Sequence, residues 1–382
     1  MYITGSESGS EKGTGWKLRV SLMKERLSES DFRIFRIQQT FRNIWMEEDW
    51  NVQEVQQMKR TKKILLYVLM GFLLVIFFLL LLLTGERQEV KRKSISVIVD
   101  NSTSNRWTAL KEGMEAAAKD YNLRLNYVST VKLWSVTAEL EMAAREMESG
   151  ADGLILQMYA SEGIGEKLEE IVPRDQCVLL ETDITPEEYY QTVGPDNRKL
   201  GSVLAGQIRA DYGENLQGKR IGIFCGNTGE LSIRQRIQGL KEGLEDSEIQ
   251  VVWELHEMGR TPDEAAENDC WETGADIVVS LENDMTERAV DYLAENQDML
   301  NQCELYGIGN SEKVMYYLDR GFIRKLVVPN DFYMGYQSVE ELAQKLEYRG
   351  ESHKNIYTGY LVIDRTNLYD ETNQKMLFPI VQ

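Results

Sequence analysis

Between Ile64 and Leu83 the chain reads ILLYVLMGFLLVIFFLLLLL, twenty residues without a charged side chain. At ~1.5 Å of rise per residue a helix of that length reaches about 30 Å, the hydrocarbon thickness of a bilayer. A buried helix of a soluble protein rarely runs so long without polar punctuation, so the run is read as one membrane-spanning helix. Lys59, Arg60, Lys62 and Lys63 precede it; Arg87, Lys91, Arg92 and Lys93 follow it, diluted by Glu86 and Glu89. The bases nearest the helix favour an N-in, C-out orientation. No small-residue cleavage site or lipid-accepting cysteine follows the run, which makes it an uncleaved signal anchor rather than a removed signal peptide.

The anchor divides the chain into unequal parts. Residues 1–57 are expected to be a short cytoplasmic segment, or alternatively an extension ahead of a start at Met58. Residues 58–85 hold the basic flank and anchor, 86–93 a linker, and 94–382 a large extracytoplasmic domain. The chain carries 43 Lys and Arg against 62 Asp and Glu, a net charge of −19. The first 93 residues contribute 16 bases and 11 acids, so the acidity belongs to the large domain. A body that acidic repels phosphate backbones, and nucleic-acid binding is excluded.

Chemistry is poorly supplied. His256 and His353 are the only histidines, and neither stands in a ligand-spaced cluster. Cys177, Cys225, Cys270 and Cys303 form no CxxC pair. A nucleophile elbow of the GxSxG kind is missing, which argues against a hydrolase on an α/β scaffold. The loop GNTGELS precedes a helix but lacks the Gly-Lys-Ser/Thr ending of a phosphate-binding loop. No metal, cofactor or catalytic residue is expected.

From Ser94 onward short apolar runs alternate with amphipathic stretches. Nine runs read as strands: 94–100, 123–129, 153–158, 177–182, 220–225, 250–255, 276–281, 305–309 and 325–330. Continuous apolar strands separated by crossover helices imply parallel sheets covered on both faces. Nine of them suit an α/β fold with two doubly wound lobes. Such folds bind ligands at the carboxyl ends of strands. There the chain places Asp100, Asn101, Arg106 and Trp107; Gln157 and Tyr159; Glu181 and Asp183; Arg234 and Arg236; Glu282, Asn283 and Asp284; Asn310; and Asn330 and Asp331. Amides, carboxylates, guanidinium forks and an aromatic face together suit a polyhydroxylated solute.

The ordered series GMEAAAKDYNL, SGADGLILQ, VGPDNRKLGSVLAGQI, IRQRIQGLKEGL, SLENDMTERAVDYL and NDFYMGYQSVEEL resembles the type I periplasmic binding proteins, over about 94–382. The resemblance implies a hinge between lobes and a sugar-like ligand held between them. Lobe one is expected over 94–196 and 332–350, and lobe two over 197–331 and 358–382. The family's ligand-contacting arginine matches Arg234, its Asn-Asp pair Asn283 and Asp284, and its first-loop aromatic Trp107. The expected ligand set is Asn101, Arg106, Trp107, Trp134, Asp183, Arg234, Asn283, Asp284, Asn310 and Asn330. Asn283 and Asp284 equally suit a helix cap, and Trp134 a packed position. Two positions depart from the family: Gly307-Ile308-Gly309 lacks the usual carboxylate unless Asn310 substitutes, and Pro329 stands where a glutamine is common. The implied role is presentation of ligand to an ABC permease or a sensor histidine kinase. The alternative is an adaptor of the same fold that has lost its ligand.

Overall fold

A computed structural model describes residues 52–84, 92–131, 135–186, 189–256, 264–348 and 354–377. The chain forms two compact units, Met1–Gln88 and Glu89–Gln382. In the first, helix α1 covers Val52–Thr84 and contains the apolar run. Its side chains are described through Phe77, and those from Ile64 onward are exposed. Among the described residues no helix is long and apolar enough to cross a membrane. The rest of the expected span, Phe78–Leu83, lies outside the described side chains, as do residues 1–51.

The second unit holds two six-stranded sheets. The first contains β1 (Ser94–Ile98), β2 (Arg124–Tyr127), β3 (Gly153–Leu156), β4 (Cys177–Leu180), β5 (Thr192–Pro195) and β11 (Ile356–Thr358), in the spatial order β11-β5-β4-β3-β1-β2. All its pairings are parallel. The second contains β6 (Arg220–Gly226), β7 (Gln250–His256), β8 (Ile277–Ser280), β9 (Glu304–Ile308), β10 (Ile323–Pro329) and β12 (Tyr360–Ile363), in the order β12-β10-β9-β8-β6-β7. It is parallel except for β12, which runs against β10.

The central strands are apolar on both faces because helices cover both. In the first sheet Val97, Ile155 and Val178 pack on one side with Leu110, Met114 and Leu342. Ile98, Leu154 and Leu179 pack on the other with Ala143 and Leu168. Edge strand β2 instead alternates exposed and half-buried residues. Three strands escape the nine-run reading. Strand β5 is four residues long and contains a glycine and a proline, and β11 and β12 split a single run across two sheets at Gly359.

Five helices frame the junction between the lobes: α2 (Thr108–Asp120), α3 (Asn197–Tyr212), α4 (Leu231–Leu244), α5 (Asn283–Glu295) and α6 (Asp331–Tyr348). The chain passes between lobes from β5 to α3, from β10 to α6 and from β11 to β12. Helix α6 returns to the first sheet and packs on α2. At the second and third crossings Asn330 N donates to Gly359 O at 2.9 Å.

Each lobe brings one helix pair into backbone contact, α2 with α6 and α3 with α4. In the second pair glycine is required. A Cβ on Gly201 would lie 2.0 Å from Arg236 O, and one on Gly239 would lie 1.9 Å from Arg198 O. This approach fixes α4 against α3 and sets Arg236 beside Asn197.

Candidate functional site between the lobes

The facing strand ends enclose a small cavity, lined from lobe one by Asp100, Arg106, Gln157, Tyr159 and Glu181, and from lobe two by Asn227, Glu230, Arg236, Glu282 and Asp284. Its volume is about 20 Å³, room for about one water molecule.

Glu181 occupies the middle. It follows β4 with a left-handed backbone, φ +65°, and lies against Gly194 of β5, where a Cβ would come within 2.8 Å of Glu181 Cα. Its carboxylate accepts from Arg106 Nη2 at 2.8 Å, from Gln157 Nε2 at 3.2 Å and from Arg236 Nη2 at 2.9 Å. Its backbone oxygen accepts from Asn197 Nδ2 at 3.0 Å. Burial opposes the charge on Glu181, but Arg106 and Arg236 outweigh it and hold its carboxyl below the usual range.

Arg236, 2% exposed, also donates through Nε to Asn197 Oδ1 at 2.8 Å and through Nη1 to Leu281 O at 2.9 Å. The Arg106 guanidinium lies 3.9 Å from the centre of the Trp107 ring. Burial works against its charge, but Glu181, Asp284, Glu282 and Asp331 outweigh burial and raise its pKa. The same surplus of acids raises the pKa of other carboxyls too, which there disfavours the charged form. Burial, then Glu181, pushes Glu230 up to about 8 and Asp331 up to about 7.

Backbone and side-chain bonds hold the cleft shut. Ser161 N donates to Gly229 O at 3.0 Å, Leu231 N to Ser161 Oγ at 2.7 Å and Asn227 Nδ2 to Tyr159 O at 2.7 Å. Ser232 N donates to Thr182 Oγ1 at 3.1 Å, and Asn310 Nδ2 to Arg106 O at 2.9 Å.

Residues 95–352 match the periplasmic binding protein domain family. The chain is a member of that family. No curated protein matches it. Among solved structures, a carbohydrate transporter solute-binding protein from Agrobacterium radiobacter in complex with D-arabinose is 18% identical. It covers 75% of this chain and 99% of its own, with a TM-score of 0.66. GanP, a glucose-galactose binding protein from Geobacillus stearothermophilus, is 18% identical over 73% of this chain and 99% of its own, at a TM-score of 0.64. The XylFII–LytSN complex is 16% identical over 72% and 98%, at 0.61. At these identities the likeness establishes the fold.

Within this binding-protein cleft the expected ligand residues take different places. Arg106 and Asp284 line the cavity. Asn310 borders it, donating to Arg106 O and to Asp331. Asn283 instead ties two loops together: its Oδ1 accepts from Asn310 N at 3.1 Å and Ser311 N at 3.0 Å. Asn330 caps α6, accepting from Tyr333 N at 3.0 Å. Asp183 accepts from Ile184 N at 2.7 Å and Asn355 Nδ2 at 2.8 Å, a structural post beside the cleft. Asn101 sits in a turn at φ +43° and accepts from Thr103 Oγ1 at 3.3 Å. Trp134 lies outside the described residues.

Two expectations need correction. Trp107 is not an exposed platform. It is 1% exposed and packed in the lobe-one core, because a short 3-10 turn folds the ring inward and Nε1 donates to Asp100 O at 2.8 Å. Arg234 does not line the cavity. It points to its own loop, donating to Thr228 O at 2.8 Å and Gly229 O at 2.9 Å and lying 3.4 Å from Glu162. The arginine that α4 brings into the cleft, opposite Arg106, is Arg236. Helical periodicity carries the signal, since Ile233, Arg236, Leu240 and Leu244 fall on one buried stripe and Arg234 does not. Glu181, Gln157, Asn227 and Glu230 were also outside the expected set. Gln157 and Glu181 carried the strand-end signal, and Asn227 and Glu230 followed β6 within GNTGELS.

Proposed function

We propose that this is a membrane-anchored, extracytoplasmic solute-binding protein that holds a sugar or sugar-like molecule between its lobes. The observation that carries the reading is the interlobe cavity, where strand ends of both sheets deliver guanidinium, amide and carboxylate groups to one point. Those groups take hydroxyl pairs in both donor and acceptor senses. Two of the similar structures are described by the sugars they hold or are named for, D-arabinose and glucose-galactose. Closure on ligand changes the outer surface, which is how a partner reads occupancy. The partner is an ABC permease or a sensor histidine kinase; XylFII, solved as a complex with LytSN, is a precedent in this fold for a second protein. The run Ile64–Leu83 supplies the anchor, with the large domain outside the cell.

One observation favours a second reading, a ligand-less adaptor. The closed cleft has space for about one water and not for a pentose, and the Glu181 carboxylate already bridges both arginines. A thermal-shift screen of the full-length chain in mild detergent separates the two, using monosaccharides, their phosphates, polyols and nucleosides. A ligand that binds only the folded state raises the melting temperature. A rise that disappears in Arg236→Ala supports the solute binder. If no compound stabilises a chain that melts cooperatively, the adaptor stands.

A further inference from the structure

Pairing of β6 with β7 gathers three metal-ligating side chains that lie far apart in sequence. Glu254 and His256 stand two residues apart on β7 and therefore on one face. Ile223 lies opposite Glu254, Phe224 opposite Leu255, and Gly226 opposite His256. The register slips between Phe224 and Gly226, so Cys225 has no residue opposite it. Such a bulge bends its strand and re-aims the extra side chain. Here the Cys225 thiol, the Glu254 carboxylate and the His256 imidazole each bring one ligand atom within 4.8 Å of the other two.

We propose that Cys225, Glu254 and His256 form a binding site for a divalent transition-metal ion, zinc in particular. The donor set carries the choice of ion. Sulfur and imidazole nitrogen suit zinc, whereas calcium and magnesium take oxygen ligands. Thiolate and carboxylate together balance the two positive charges. Burial is graded across the site: the thiol is fully buried, Glu254 half-buried and His256 exposed, so the ion enters from the solvent side. Lys241 Nζ now lies 2.6 Å from Glu254 Oε1, and the ion displaces it. Burial pushes the Cys225 thiol up to about 12; coordination expels its proton to water. Two residues further on, Asn227 makes its 2.7 Å bond to Tyr159 O across the lobes. An ion on Cys225 thus pins the start of the loop that carries Asn227 and Glu230 into the cleft.

The test is a cobalt(II) titration of the full-length chain, purified reduced and metal-free in mild detergent, followed by displacement with zinc. The expected result is a near-ultraviolet thiolate-to-cobalt charge-transfer band that zinc removes. Cys225→Ser loses the band. His256→Gln, a change at an exposed side chain that leaves the core intact, weakens cobalt binding by more than about tenfold, the least that even an outer-shell partner contributes. Lys241→Met tightens it by removing the competing cation. No band in the wild-type chain overturns the proposal. So does a band that persists at full strength in Cys225→Ser, which assigns it to another cysteine, or an affinity unchanged in His256→Gln.

Discussion

Glu181 of lobe one and Arg236 of lobe two form an ion pair across the cleft, Oε1 to Nη2, at 2.9 Å, with side chains only 13% and 2% exposed. Removing one member of so dry a pair leaves the other charge buried without its partner, at about 3–5 kcal/mol. Glu181→Gln is therefore expected to unfold at lower denaturant concentration, with an unchanged slope. It has a second signature. Because Glu181 raises the pKa values of Glu230 and Asp331, both carboxyls should titrate lower in Glu181→Gln. Side-chain carboxyl NMR reads this directly, and unshifted titrations would show that the Glu181 charge does not govern the cleft.

The α3–α4 contact makes a paired prediction. Gly201→Ala drives a methyl into Arg236 O, an overpacking expected to cost about 1–3 kcal/mol or more and to move Arg236 off Asn197. Gly206, on the same helix, has nothing within 4 Å of its ideal Cβ. Gly206→Ala should be neutral or stabilising by up to about 1 kcal/mol, as helix propensity dictates. Equal melting temperatures for the two variants would rule out the close approach as a determinant of stability.

Glu139 predicts a pH dependence. It is 1% exposed, its Oε2 accepts from Tyr159 N at 3.0 Å, and burial pushes it up from 4.5 to about 8. Between those values the unfolded chain has released the proton and the folded chain keeps it, so stability falls as pH rises. Glu230 and Asp331 act in the same sense, while Glu181, depressed by its arginines, loses its contribution as pH falls. The melting temperature should be higher at pH 5 than at pH 8, with a shallower slope in Glu139→Gln. An identical slope in that variant would remove Glu139 from the account.

Asn227 reports on closure. Its Nδ2 bonds Tyr159 O across the lobes, and its Oδ1 accepts from Gly229 N at 3.0 Å to shape its own loop. Asn227→Ala should shift the population toward open forms, seen as a larger radius of gyration in small-angle scattering while the circular dichroism is unchanged. A radius equal to wild type would mean that the remaining interlobe bonds suffice.

The parallel sheets were legible because strands buried on both faces must be apolar throughout, and the helix-separated runs announce themselves that way. Strand β5 was not, since Thr192–Pro195 draws its stability from neighbours on both sides rather than from its own residues. The cleft was legible at the level of strand ends and less so at the level of side chains. Arg234 and Arg236 differ only in helical phase, and Trp107 only in how one short turn rotates it. Spacing along the chain is silent about Cys225, Glu254 and His256, because their proximity belongs to strand pairing.

Strand β11 has a further consequence. Lobe one takes its last strand from Ile356–Thr358 and a covering helix from Asp331–Tyr348. A ribosome must therefore have made nearly the whole chain before the first lobe is complete. Until then the edge of β5 stays bare, and the first lobe is completed only after most strands of the second have been made.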